Sequence, residues 1–266
     1  MLFVALVVAA VGSLGAPLIT SVAEAYQVSL AAAQWTLTGT LLAGAVAIPL
    51  LARLGDGPTR RTTVLGTLAT VVAGSLATVL PGPFGLLLAG RAAQGVGLGL
   101  TALMMATARD HLAERAGTTI AMLSVASTGG IGIGYPLAAL LAEVAGVRAA
   151  YALGLAVTTA ALAAALLALP GDDPARPGRP VDWNGAALLG AGLAAVLLVT
   201  GDTDLWTTRL PVAAALLTVG VVTLAGWAVT ERRAPSPLVD LTALRHRRWP
   251  ARTSSWGSAA WACTCC

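Results

Sequence analysis

Three stretches of an otherwise apolar chain hold groups that packing alone does not call for. The first is Arg91-Ala92-Ala93-Gln94-Gly95-Val96-Gly97-Leu98-Gly99. Arg91 and Gln94 stand three apart, on one helix face, and Arg91 lies about seven residues into its apolar run, roughly 10 Å deep at helical rise. An unpartnered guanidinium costs several kcal/mol there. It either turns into a bundle or wet cavity, with the glycines leaving room for a neighbour, or snorkels outward along its own stem. The second stretch is Ala52-Arg53-Leu54-Gly55-Asp56-Gly57-Pro58-Thr59-Arg60-Arg61. Its length forces a tight hairpin in which Arg60 and Arg61 can hold Asp56 by charge-assisted hydrogen bonds; a solvated loop is the plainer alternative. The third runs from Ser127 to Pro136, with glycines at 129, 130, 132 and 134. Pro136 removes a backbone donor and Gly130 and Gly134 thin the helix, so this segment should bend, as a hinge, a packing seam or a static kink.

The elements that must position these groups are membrane helices. Of 266 residues, 57% are hydrophobic and 11% charged, with a mean hydropathy of +0.81; soluble domains carry roughly a quarter charged residues. Apolar runs of the ~20 residues a bilayer span needs fall at about 2–22, 33–52, 63–80, 84–106, 118–141, 149–169, 185–200 and 210–229. None alternates as a barrel strand would. A cleaved signal peptide would need a basic stretch before the first run, and none is there. The reading is an all-α polytopic membrane protein of about eight transmembrane helices.

Arginine placement orients them. Arg53, Arg60 and Arg61 follow the second run, Arg109 and Arg115 the fourth, Arg176 and Arg179 the sixth, and Arg232, Arg233, Arg245, Arg247 and Arg248 the eighth; the opposite loops hold Arg148 and Arg209. By the positive-inside rule both ends of the chain are cytoplasmic, so the formal charge of +4 reports loop orientation rather than nucleic-acid binding. The segment 171–184, broken by Pro174, Pro177 and Pro180, is the expected cytoplasmic linker between a six-helix block, 1–170, and a helix pair, 185–230, with a cytoplasmic tail over 231–266.

Catalysis and metal binding find no support. Cys263, Cys265 and Cys266 crowd the last four residues without metal or disulfide spacing. His111 with Asp110 and Glu114 reads as a solvated loop, and no phosphate-binding glycine loop ends in Lys because the chain has no Lys. No cofactor and no enzyme activity are expected.

In this order the three stretches resemble motifs of the major facilitator superfamily. Leu54, Asp56, Arg60 and Arg61 are similar to its loop between helices two and three, with Ala52, Gly57 and Thr59 departing from it. Arg91, Gln94, Gly95 and Gly97 match the helix-four motif Arg-x-x-Gln-Gly-x-Gly. Gly130, Gly134 and Pro136 resemble the helix-five antiporter motif, with Tyr135 inserted and Ala138 and Ala139 in glycine places. Val181-Asp182-Trp183-Asn184-Gly185 and Pro237-Leu238-Val239-Asp240-Leu241 look like sequences flanking the two extra central helices of the fourteen-helix drug:proton antiporter branch. The resemblance covers about residues 1–247. It implies a plasma-membrane exporter of small hydrophobic or cationic molecules driven by protons, in which the loop latches the cytoplasmic side, Arg91 helps couple proton movement and the helix-five motif shapes an interdomain seam. Span one, Gly12-Ser13-Leu14-Gly15-Ala16-Pro17, lacks the Asp many antiporters of that branch carry there. The chain is expected to hold the first eight of about fourteen helices and, with one six-helix half where alternating access needs two, not to transport alone. A non-transporting membrane remnant or helical partner subunit is the alternative.

The tail departs from everything before it. Residues 249–266 contain no Leu, Val, Ile or Phe. Trp and Cys codons begin TG and the common Ser codons TC, so a frame borrowing one preceding base turns each into a Leu, Val, Met, Ile or Phe codon. Nine of the 18 positions change in this way, and the stretch then reads as a ninth membrane span out of frame. A cationic Trp-bearing surface segment or a palmitoylated cysteine cluster is the rival. Gene sequence past the stop codon is expected to continue into apolar spans in the shifted frame; a shifted frame without them rules the frameshift out.

Overall fold

The computed structural model describes residues 2–55, 57–111, 116–169, 171–172, 182–201 and 209–233. Asp56, Glu114, Arg115, the linker arginines and prolines, and the whole tail beyond Arg233 lie outside them, as do the side chains of Arg109, Asp110 and His111.

Every regular element among the described residues is a helix: α1 Leu2–Ser13, α2 Ile19–Tyr26, α3 Leu30–Gly55, α4 Arg60–Val79, α5 Phe84–Val96, α6 Leu98–His111, α7 Ala116–Ala145, α8 Val147–Ala168, α9 Trp183–Gly201 and α10 Leu210–Arg233. Seven helical spans are long and apolar enough to cross a bilayer, α5 and α6 together forming one; α1 is a shorter apolar helix.

Two expected spans are interrupted. The first, about 2–22, is not one helix: α1 stops at Ser13 and α2 begins at Ile19, with a turn over 14–18. Pro17 cannot donate to the carbonyl of Ser13 and Gly12 and Gly15 lower helix propensity, so the ladder lapses there. The fourth is divided at Gly97, whose N–H bonds to the Gln94 carbonyl in a tighter turn. By contrast α7 runs through Pro136 without interruption. α10 continues past the expected end at 229 to Arg233, burying Glu231.

Local signals set the starts. The Ser29 hydroxyl accepts the Ala32 N–H at 3.1 Å and opens α3, and the Asp182 carboxylate accepts the Gly185 N–H at 2.9 Å and opens α9. Gly146, at φ +83°, turns α7 into α8.

α3 packs on α5 and α6, α4 on α5 and α8, and α1 on α7 and α8, while α9 joins α10 to α3. Helices in lipid gain little from excluding water, so close backbone approach through small residues holds them. A Cβ on Gly130 would meet the Leu6 carbonyl oxygen at 2.2 Å, and one on Gly134 would meet Ala10 at 3.1 Å; Gly132, between them, has nothing within 4 Å. The helix-five glycines are therefore a seam against α1. Gly130→Ala is expected to destabilise by about 2 kcal/mol through overpacking, whereas Gly132→Ala should stabilise by up to ~1 kcal/mol through helix propensity. Opposite shifts in the melting temperature of the detergent-solubilised protein check this.

Candidate functional site

Arg91 is wholly buried at the centre of the bundle, which selects the inward orientation over snorkelling. What meets it is backbone. Nη1 donates to the Val11 carbonyl at 3.1 Å, Nη2 to the Gly12 carbonyl at 3.3 Å and Nε to the Thr36 carbonyl at 3.3 Å. Val11 and Gly12 belong to the last turn of α1, where carbonyls have lost their helical donors and the helix dipole is negative. The break in the first span thus serves the guanidinium: a helix end stands where a carboxylate would. Gly15 leaves the space, since a Cβ there would lie 2.6 Å from Nη2.

Gln94 fixes the other side. Its Oε1 accepts from Arg91 Nη1 at 2.6 Å and its Nε2 donates to Ser75 Oγ at 3.0 Å. Ser75 donates to the Val71 carbonyl at 2.8 Å, and Thr158 Oγ1 of α8 lies 3.4 Å from Ser75 Oγ. Thr40 Oγ1 touches the carbonyls of Thr36 at 2.7 Å and Arg91 at 3.0 Å, tying α3 to α5. A polar track therefore runs from α1 through α5 and α4 toward α8. Gly95 lets α5 approach the Thr40 backbone, and a Cβ on Gly97 would meet Val71 at 2.8 Å, so the motif glycines set the depth at which Arg91 reaches α1.

The loop motif is divided. Asp56 lies outside the described residues; Arg61 Nη2 donates to the Leu166 carbonyl at 3.2 Å. That carbonyl would normally receive residue 170, which is Pro and has no N–H. In return Asp172 caps α4, accepting the N–H of Arg61 at 2.6 Å, the N–H of Thr62 at 3.3 Å and the Thr62 hydroxyl. Each helix end receives from the other segment what it lacks.

The Thr62 hydroxyl above all, helped by the backbone N–H groups of Thr62 and Arg61 and the Arg61 charge, holds the Asp172 carboxyl below its ordinary 3.8 against desolvation, the second-largest effect. A carboxyl depressed on folding contributes stability above its unfolded value, lost as pH falls through the folded one. Asp172→Ala is expected to speed amide exchange at Arg61 and Thr62 at neutral pH, and native protection at these amides should persist until the pH drops below the usual aspartate range.

Sequence reasoning missed Asp172, Ser75, Thr158, Thr36 and Thr40. The threonines and Ser75 carry no mark, because hydroxyls in membrane helices routinely bond back to their own turn, as Thr67 and Thr70 do. The prolines flanking Asp172 did announce a helix end in need of partners.

A buried arginine held by a broken helix inside an all-helical apolar bundle defines a polytopic membrane protein built around an intramembrane charge. The sequence profile of the Major Facilitator Superfamily matches residues 1–265, and the chain belongs to that family of membrane transporters. It is 29% identical over 231 residues to a protein named lincomycin resistance protein, from Streptomyces lincolnensis; the match covers 85% of this chain and 47% of the relative. The chain thus spans about half the length of the curated relative it matches.

Proposed function

We propose that the chain serves proton-coupled efflux of small hydrophobic or cationic molecules across the plasma membrane, in the manner of the fourteen-helix drug:proton antiporter branch. Arg91 carries the proposal. A permanent positive charge buried among carbonyl dipoles costs stability that packing would not demand, and it stands where the family's helix-four motif stands. The name of the Streptomyces relative speaks of resistance, for which export is a direct route.

In this reading Arg91 and Gln94 set the electrostatics of proton movement, and Asp56, Arg60 and Arg61 latch the cytoplasmic side. Gly130, Gly134 and Pro136 let α7 and α1 move as neighbours. Both termini face the cytoplasm, supported by Arg53, Arg60, Arg61 and Arg232 at one end of the helices against Arg148 and Arg209 at the other. Protons, a small-molecule substrate and the lipid bilayer are the partners.

The test is movement of a cationic dye such as ethidium into acid-loaded proteoliposomes in two preparations: this chain alone, which with one six-helix half is expected to move none, and this chain with a second six-helix half supplied. Dye movement that needs the proton gradient and is lost in Arg91→Ala supports the proposal, and movement indifferent to the gradient sinks proton coupling. A second reading is a helical partner subunit without transport of its own; the apolar side of α7 with Ile131, Ile133, Tyr135, Leu140 and Val144 is exposed on this chain and can meet lipid or a second membrane helix alike. The subunit reading predicts no dye movement in either preparation and a second membrane chain on co-purification.

A further inference from the structure

The end of the bundle remote from Arg60 and Arg61 holds a cavity of about 450 Å³ whose walls include Tyr26, Thr78, Gly82, Gly146, Arg148 and Tyr151. Its chemistry is one-sided. The N-terminus of the 22-residue helix α8 opens into it at Gly146 and Val147, with no side-chain cap and no acid in the first turn. The leading N–H groups of a helix lack intrahelical partners and carry the positive end of its dipole. Arg148 adds a full positive charge at the exposed rim. Glu24 and Glu143 are near in sequence, but both are exposed and neither lines the cavity.

Tyr151 is a second and independent sign. It is 1% exposed, forms part of the wall, and its buried hydroxyl has no hydrogen-bond partner. Buried hydroxyls are rarely left so, and each such group calls for an explanation. Tyr26 also lines the cavity, its ring packed at 5.8 Å against Phe84. Among the described residues the cavity therefore gathers a helix N-terminus, a guanidinium and a tyrosine hydroxyl with a hydrogen still to donate, and no carboxylate.

We propose that this cavity binds an oxyanion, a carboxylate or a phosphate group, seated on the α8 N-terminus and held by Arg148 and the Tyr151 hydroxyl. Helix N-termini and guanidinium forks are general oxyanion binders, and the volume accommodates an aromatic acid or a lipid headgroup. Tyr151 adjoins the Arg91 cluster closely enough for the two to interact electrostatically, but binding in the cavity does not depend on transport.

The three tyrosines, Tyr26, Tyr135 and Tyr151, make the test direct. The full chain labelled with 3-fluorotyrosine in a non-ionic maltoside detergent gives one fluorine resonance for each. Benzoate is expected to shift Tyr26 and Tyr151 saturably and leave Tyr135, on the exposed side of α7, unmoved; tetraethylammonium should shift none. Arg148→Gln should weaken benzoate by about tenfold or more, as loss of one charge-assisted bond implies. Tyr151→Phe should weaken the response still read at Tyr26. If the natural occupant is a lipid headgroup, phosphatidylglycerol added to the micelles moves the same two resonances and competes with benzoate; if it is a free acid, benzoate alone moves them. No saturable shift with either probe, an equal shift with the cation, or an unaltered response in Arg148→Gln overturns the proposal.

Discussion

Arg91→Ala is expected to lower the melting temperature of the detergent-solubilised protein by roughly 10 °C, the equivalent of about 3 kcal/mol for a chain of this size. The substitution strips donors from the carbonyls of Val11, Gly12 and Thr36 and from Gln94 Oε1; Val11 keeps the Leu14 N–H and Thr36 the Thr40 hydroxyl, so the Gly12 carbonyl and Gln94 Oε1 carry the cost, about 1–3 kcal/mol for each buried acceptor left unpaired. Water entering the vacated space recovers part of that, which keeps the figure at the lower end. Arg91→Lys retains the charge without the planar fork and cannot reach acceptors on α1 and α3 together, so it should fall between wild type and alanine. A melting temperature unchanged in Arg91→Ala would show that α1 and α3 do not depend on the guanidinium.

Gly95→Ala comes second, at about 3 kcal/mol, the upper range for overpacking. The added Cβ would lie 2.1 Å from the Thr40 carbonyl oxygen, 2.8 Å from its carbonyl carbon and 2.9 Å from its Cα. All three atoms are backbone, so no rotamer change relieves the contact and α5 must separate from α3. The Thr40 bond to the Arg91 carbonyl crosses the same gap and should be lost with it. Gly66→Ala, on α4 with nothing within 4 Å, is the control expected to hold or gain stability. The thermal melts of the two variants decide the matter; equal behaviour would mean that α3 and α5 yield without cost.

Depth and neighbours account for what the sequence disclosed. An arginine far inside an apolar run must find partners, so the inward turn of Arg91 and its alliance with Gln94 could be read from two positions. The partners could not, because they are main-chain carbonyls and every residue has one. Val11 and Gly12 are available because α1 ends there, with Pro17 the visible sign of that end, whereas Thr36 lies inside α3. The glycines behaved alike: the runs after Arg91 and before Pro136 marked helices thin enough for a neighbour, but nothing local told Gly130, which touches α1, from Gly132, which touches nothing. Asp172 lay furthest from reach. Its partners are 110 and 111 residues away, and an acid in a proline-broken linker has no local sign that separates solvation from capping.

The turn over 14–18 also bears on how the Arg91 contact could ever be undone. Carbonyl oxygens do not titrate, so no proton arriving at these acceptors can dismiss the guanidinium as it would from a carboxylate. Their competitor is the chain itself. At present Leu14 N–H reaches the Val11 carbonyl at 3.3 Å and Ala16 N–H turns to Ser13 at 3.4 Å. Regrowing the α-helix by one turn would hand Val11 and Gly12 to the amides of Gly15 and Ala16, leaving Arg91 to find new company. Releasing these two carbonyls would thus take a change of helix length over a few residues, not a proton on the carbonyls themselves.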